Sequence, residues 1–178
     1  MNNLPIPAPE AQAHSLRLQQ AIVDEIAAGG GWMSFARFME QLLYAPGLGY
    51  YTAGARKFGA AGDFVTAPEL TALFGQSLAR QLAQVMTASS PVVIEVGAGS
   101  GRLAADLLLA LEQMGQLPES YFILDLSADL RQRQQQHIAA AAPHLLARVA
   151  WLDSLPEAFS GVVIANELLD AMPAHIVA

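Results

Sequence analysis

The chain has 178 residues, 9 basic against 16 acidic, for a formal charge of -7, and no cysteine. Those counts exclude a disulfide framework, a thiolate metal site and a cysteine nucleophile. With Lys57 as its single lysine, the chain lacks the basic clusters that neutralise phosphates, so no nucleic-acid partner is expected. The 53% hydrophobic content includes no apolar run near the roughly 18 residues of a membrane span, so no membrane insertion is expected either.

The start, Met1-Asn2-Asn3-Leu4-Pro5, has neither a positive n-region nor an apolar h-region and predicts no signal peptide, which points to the cytoplasm of a bacterium. Residues 1–9 carry Pro5, Pro7 and Pro9 and read as a disordered leader. From Glu10 to Ala28, Leu18, Ile22 and Ile26 recur at spacing four and predict an amphipathic helix that Gly29-Gly30-Gly31 stops. Ser34 can cap a second helix, lined by Phe35, Phe38, Met39, Leu42 and Leu43. A break at Ala45–Gly49 follows, and Tyr50-Tyr51 opens a long glycine-rich loop to Val65.

Thr66 and Glu69 have the spacing of a capping box, with Pro68 in the first turn, and predict one helix to about Met86. Val92–Val96 is a β-branched run that reads as a buried strand. Arg102 to Met114 is helical, with Leu103, Leu107 and Leu111 on one face. Tyr121–Leu124 is a second strand, followed by a Ser127-capped helix that Pro143 stops. Arg148–Leu152 and Gly161–Ala165 are a third and a fourth strand. Strands alternating with helices at this spacing predict a parallel α/β sheet behind an N-terminal helical cap. The expected division is a leader at 1–9, a helical cap with a lid loop at 10–90, and a cofactor-binding half at 91–178.

Between the first strand and its helix lies Glu95-Val96-Gly97-Ala98-Gly99-Ser100-Gly101. Glycines there permit a tight turn and close backbone approach to a ligand, and the helix start offers free N–H groups. Dinucleotide folds use G-x-G-x-x-G, whereas this pattern is E-x-G-x-G-x-G, which argues against a nicotinamide oxidoreductase. An acidic residue ending the next strand would hold ribose hydroxyls, and Asp125 stands there. A ribose-bearing ligand is therefore expected. The bare alternative is a plain βα turn with a solvated aspartate.

These residues resemble the first motif of S-adenosylmethionine-dependent methyltransferases. More narrowly, the chain resembles the MidA family, which includes the mitochondrial complex I assembly factor with protein arginine methyltransferase activity. The resemblance is carried by Leu43-Tyr44-x-Pro46-x-x-Gly49-Tyr50-Tyr51, by Gly62-Asp63-Phe64-x-Thr66-x-Pro68-Glu69 with Phe74-Gly75, and by Asn166-Glu167-Leu168-Leu169-Asp170-Ala171-Met172-Pro173. It spans roughly residues 20–175. The family more often has Glu where this chain has Asp125, a swap that ribose binding tolerates.

The resemblance implies a Rossmann-like class I methyltransferase sheet, of which only four strands can be counted here; complete sheets of that fold have seven. The chain therefore reads as a fragment lacking the C-terminal half, with exposed edges that would favour a homodimer. S-adenosyl-L-methionine is the implied cofactor. Glu95 with Gly97, Gly99 and Gly101 would hold its methionine end, Asp125 its ribose, and Asp153 its adenine. Gly62 and Asp63 would belong to a lid. Asn166, Glu167 and Asp170 are the candidate catalytic residues, receiving a protein arginine, with a complex I subunit as the candidate partner. A carboxylate paired to a guanidinium can orient the attacking nitrogen and disperse its proton. A methyltransferase-like module that binds without turnover is the alternative. The four histidines, His14, His137, His144 and His175, show no metal-ligand spacing, and no metal is expected.

Overall fold

The structure, a computed structural model, describes residues 6–53 and 66–177. It forms two compact units, one of residues 1–55 with 169–178 and one of residues 56–168.

The first unit contains α1 (Pro9–Ala28) and α2 (Phe35–Tyr44). Ile22 is the buried residue of the predicted α1 stripe. Ser34 caps α2 as expected, its Oγ accepting from the Arg37 amide at 3.2 Å. The Arg37 guanidinium bridges Glu25 on α1 to Glu40 on its own helix, and Gln41 adds a 2.8 Å bond to Glu25. After α2 the chain turns at Ala45–Gly49, where His14 Nε2 lies 2.8 Å from the Leu48 carbonyl. The Tyr44 hydroxyl donates to the Ala171 carbonyl at 2.7 Å, which ties the 3-10 turn Leu169–Ala171 to α2.

The second unit contains α3 (Ala67–Leu70), α4 (Ala72–Ala88), β1 (Val92–Val96), α5 (Arg102–Gln113), β2 (Ser120–Leu124), α6 (Ala128–Ala141), a 3-10 turn at Pro143–Arg148, β3 (Val149–Leu152) and β4 (Val162–Ile164). The expected single helix from Thr66 is two helices. Thr71 breaks it in extended backbone (φ -161°) and caps α4, accepting from the Leu73 amide at 3.2 Å. Thr66 makes no side-chain cap, so the capping box does not form; a β-branched threonine in extended conformation re-aims the chain instead. The Ser127 cap does form, with the Leu130 amide at 3.3 Å.

The four strands are parallel in the order β3-β2-β1-β4, which is the expected α/β class. Val92 pairs with Ser120 and Val96 with Leu124, while Glu95 pairs with Ile164 on the other side. Successive strands thus step outward from β1 to β3, and β4 returns to the opposite side of β1. That reversal opens a crevice at the carboxyl ends of the strands, where ligands bind in open α/β sheets.

The core fills the space between strands and helices. Val93, Tyr121 and Ile123 from the sheet meet Leu103, Leu107, Leu108 and Leu111 of α5, all at most 3% exposed. Each such side chain contributes roughly 1.5–3 kcal/mol of burial. α5 packs against both α4 and α6, so its apolar surface is wider than the predicted single stripe. α4 and α5 approach closely at Gly75 of α4, where a Cβ would stand 2.7 Å from the Asp106 Cβ. Among the described residues no helix is long and apolar enough to cross a membrane.

Candidate functional site: the glycine loop and the carboxyl ends of the strands

The predicted glycine loop joins β1 to α5 with Gly97, Gly99 and Gly101 all at positive φ (70°, 54° and 83°). The Gly97 amide donates to the Leu124 carbonyl at 2.9 Å, so the loop begins pinned to the end of β2. The Gly101 amide closes the turn onto the Ala98 carbonyl at 2.8 Å. Between them the amides of Ala98, Gly99 and Ser100 donate to no backbone carbonyl among the described residues. Three free donors at a helix start are an anion-binding arrangement.

Asp125 follows β2 and is 8% exposed. Its Oδ1 accepts from the Ser127 amide at 3.0 Å, and its Oδ2 from Gln134 Nε2 at 2.8 Å. Burial pushes its carboxyl up, against the pull of Ser127, Gln134 and Arg131. An ionised carboxylate has about four acceptor positions, so both oxygens keep capacity for a ligand's hydroxyls.

Gln134, in the middle of α6 and fully buried, organises this region. Its Nε2 also donates to the Gly99 carbonyl at 3.1 Å, and its Oε1 accepts from Trp151 Nε1 at 2.9 Å. One side chain thus couples the loop, the ribose candidate and β3. Arg131 does similar work at the strand ends, donating to the Asp125 carbonyl at 2.7 Å, the Leu152 carbonyl at 2.6 Å and Asp153 Oδ1 at 2.8 Å. Asp153 is itself 94% exposed at its side chain. Neither Gln134 nor Arg131 stands out in the sequence, because a polar residue mid-helix reads as solvated.

Glu95 lies below the loop and is 2% exposed. Tyr121 of β2 donates its hydroxyl to Glu95 Oε2 at 2.7 Å. Burial raises this carboxyl to about 7, with the tyrosine bond opposing and the charge of Asp125 adding to the rise. The same burial, together with Glu95, holds the Tyr121 hydroxyl well above its usual range.

A contact from α3 is added above the loop. Ser100 Oγ donates to the Glu69 carboxylate, and Arg102 Nη1 donates to the Glu69 carbonyl at 3.3 Å. The sequence singled out Glu69 as half of a capping box; its carboxylate sits on the glycine loop instead.

Asn166 and Glu167 follow β4 in the sheet unit. Asn166 lines an apolar groove of about 390 Å³ between α4 and β4, with Phe74, Leu78 and Val163. Glu167 is exposed and is the non-glycine residue with positive φ (50°) among those described. Asp170 belongs to the helical unit, where its charge, after burial, raises the Tyr51 hydroxyl. Tyr51 stacks on Tyr44 at 5.5 Å and meets Tyr50 edge-on at 5.1 Å. Gly62 and Asp63 lie outside the described residues. Among the described residues no group of three or more histidine, aspartate and glutamate side chains could hold a metal ion.

The site therefore offers free amides beside a carboxylate at a strand end, which fits a ligand that carries both an anionic group and ribose hydroxyls. When bound, S-adenosyl-L-methionine would supply the electrophilic methyl group. Asp125 would hold its ribose, and the loop amides its carboxylate.

Comparison with known proteins points to the same cofactor. Residues 77–178 match the family described as "Putative S-adenosyl-L-methionine-dependent methyltransferase". A curated relative, the protein arginine methyltransferase NDUFAF7 homolog of Caenorhabditis elegans, is 30% identical over 94% of this chain and 44% of its own length. The mouse NDUFAF7 is 29% identical over 82% of this chain and 39% of its own. A crystal structure from Burkholderia thailandensis, with S-adenosyl-homocysteine bound, superposes with a TM-score of 0.90 at 55% identity. It covers 96% of this chain and 46% of that one. The chain thus spans less than half the length of these relatives. It belongs to the S-adenosyl-L-methionine-dependent methyltransferase family.

Proposed function

We propose that the chain carries the cofactor-binding part of a protein methyltransferase that transfers a methyl group to an arginine nitrogen. The observation that carries this reading is the buried Gln134 bridge, which sets the Asp125 carboxylate beside the Gly99 carbonyl of the loop. In this reading Gly97, Gly99 and Gly101 shape the turn for the methionine half, Glu95 supports it from below, and Asp153 flanks the adenine. In-line methyl transfer needs little covalent help, and positioning alone can supply ~7–11 kcal/mol.

The arginine acceptor is supported by the relatives' being named protein arginine methyltransferases and by the acidic, aromatic chemistry of the candidate residues. Glu167 holds a left-handed backbone that costs a non-glycine residue ~1–3 kcal/mol, and such outliers gather at functional sites. It would pair with the guanidinium, and Asn166 would orient it. Asp170 would act in its own unit beside Tyr51, whose face suits a guanidinium. Gly62 and Asp63 are proposed for the lid. A respiratory complex I subunit is the proposed partner, and the bacterial cytoplasm the proposed location.

The test joins binding to transfer. Calorimetric titration is expected to give heat with S-adenosyl-homocysteine and none with NADH. Asp125→Ala should weaken that binding at least tenfold, since bonds to a charged group contribute about 1.5–3 kcal/mol each. Tight NADH binding, or an unchanged affinity in Asp125→Ala, would reject the cofactor site. Radiolabelled methyl groups should then appear on arginine of a complex I subunit; label absent from arginine would reject the acceptor.

A homodimer through β4 is also proposed. Among the described residues β4 pairs on one side only, with β1, and its Val163 is 56% exposed, a combination that invites edge pairing. Sedimentation velocity should show a dimer that Val163→Lys converts to monomer. A monomeric wild type would dismiss it.

A further inference from the structure

We propose that the Glu69 carboxylate receives the α-ammonium of the cofactor's methionine half, exchanging its bond to Ser100 for a charged partner. The inference rests on the S-adenosyl-L-methionine reading of the site and assigns one residue within it.

The methionine half of the cofactor is a zwitterion, so its site must offer donors to a carboxylate and an acceptor to an ammonium. The free amides of Ala98, Gly99 and Ser100 supply the donors. The acceptor must be a carboxylate that is ionised, reachable and not already spent on a cation.

Glu95, the acidic residue of the glycine motif, is 2% exposed and committed to Tyr121. It cannot present its oxygens to a ligand above the loop. Asp125 stands at the end of β2, fixed by Ser127 and Gln134. Asp153 is paired to Arg131 beyond β3. Asp106 lies one turn inside α5, facing Arg102. Glu69 differs from all four. Its partner is the neutral Ser100 hydroxyl, on the last residue of the free-amide run.

Its placement is also built. Arg102, first residue of α5, holds the Glu69 carbonyl, and the buried Pro68 seats α3 beside it. The break at Thr71 gives α3 a direction separate from α4. A carboxylate hydrogen-bonded to a hydroxyl exchanges readily for an ammonium, because a charge-assisted bond is roughly twice as strong as a neutral one.

The experiment compares two ligands on the intact protein by calorimetric titration. One is S-adenosyl-homocysteine, and the other is its analogue with the α-ammonium replaced by hydrogen. Wild type should prefer the first by at least tenfold. In Glu69→Gln, which keeps an acceptor for Ser100, that preference should fall to about twofold or less, with the analogue's affinity unchanged. Glu69→Asp, which keeps the charge, should retain part of the preference. Parallel weakening of both ligands in Glu69→Gln would mean that Glu69 only packs the loop, and would overturn the assignment. A wild type that binds neither ligand would overturn the cofactor reading and this assignment with it.

Discussion

Glu95→Gln is expected to make the protein more stable than wild type at pH 8 and to leave it nearly unchanged at pH 4. Glu95 is enclosed beneath the glycine loop, where burial raises its carboxyl from an ordinary 4.5 to about 7. Between those values the native state holds a proton that the unfolded state has released. Native stability therefore falls as pH rises through that window, and the loss is complete above about 7. The difference corresponds to about 3 kcal/mol. A neutral glutamine keeps the acceptor for the Tyr121 hydroxyl and carries no buried charge. At pH 8 its melting temperature should exceed that of wild type by roughly 5–10 °C, on the usual scale for a chain of this size. Melting curves from pH 4 to 8 check this: wild type should lose stability across the range and Glu95→Gln should stay flat. Parallel curves would show that Glu95 is not held in its neutral form. Because Glu95 is enclosed and bonded to Tyr121 rather than open to a ligand, Glu95→Gln should change cofactor affinity little while gaining stability.

The sequence exposes those parts of this site that depend on local chemistry. The β-branched run Val92–Val96, the caps Ser34 and Ser127, and the stop at Pro143 each act within a few residues, and each element appears where it is expected. Asp125 is legible for the same reason: it sits one residue past a strand of recognisable pattern. The interior partners are not. Gln134 is buried because Trp151 and Gly99, 17 and 35 residues away, close around it, and nothing in the stretch Arg133-Gln134-Gln135-Gln136 separates that glutamine from its exposed neighbours. Thr66 and Glu69 show the opposite failure. Their spacing satisfies a local rule, but Ser100 takes the Glu69 carboxylate and Thr71 starts the longer helix. A second cap residue five positions on, followed by Leu73 and Phe74, was the available signal.

The third glycine of the motif is where loop, helix and ribose candidate become one mechanical object. Gly101 begins α5 at φ 83°, and a Cβ there would stand 2.9 Å from the Gln134 Cα and 3.2 Å from its Cβ. The obstructing atom is helix backbone, which cannot swing aside as a side-chain tip could. Gly101→Ala should therefore cost the left-handed penalty of about 1–2 kcal/mol together with an overpacking penalty of about 1–3 kcal/mol. A sum near 4 kcal/mol predicts a melting temperature lower by about 10 °C. Relief of the clash requires α6 to retreat, which stretches the Gln134 bonds to Gly99 and Asp125 and loosens both halves of the cofactor site. S-adenosyl-homocysteine affinity should fall by more than tenfold in the folded fraction. Gly115→Ala provides the control. Its φ is 65° but no atom lies within 4 Å of the added Cβ, so it should show the backbone penalty alone, with unchanged affinity. Equal losses in the two variants would mean that Gly101 is needed only for its backbone angle. A larger loss in Gly101→Ala, joined to the affinity drop, would show that the glycine is required because α6 packs directly against it.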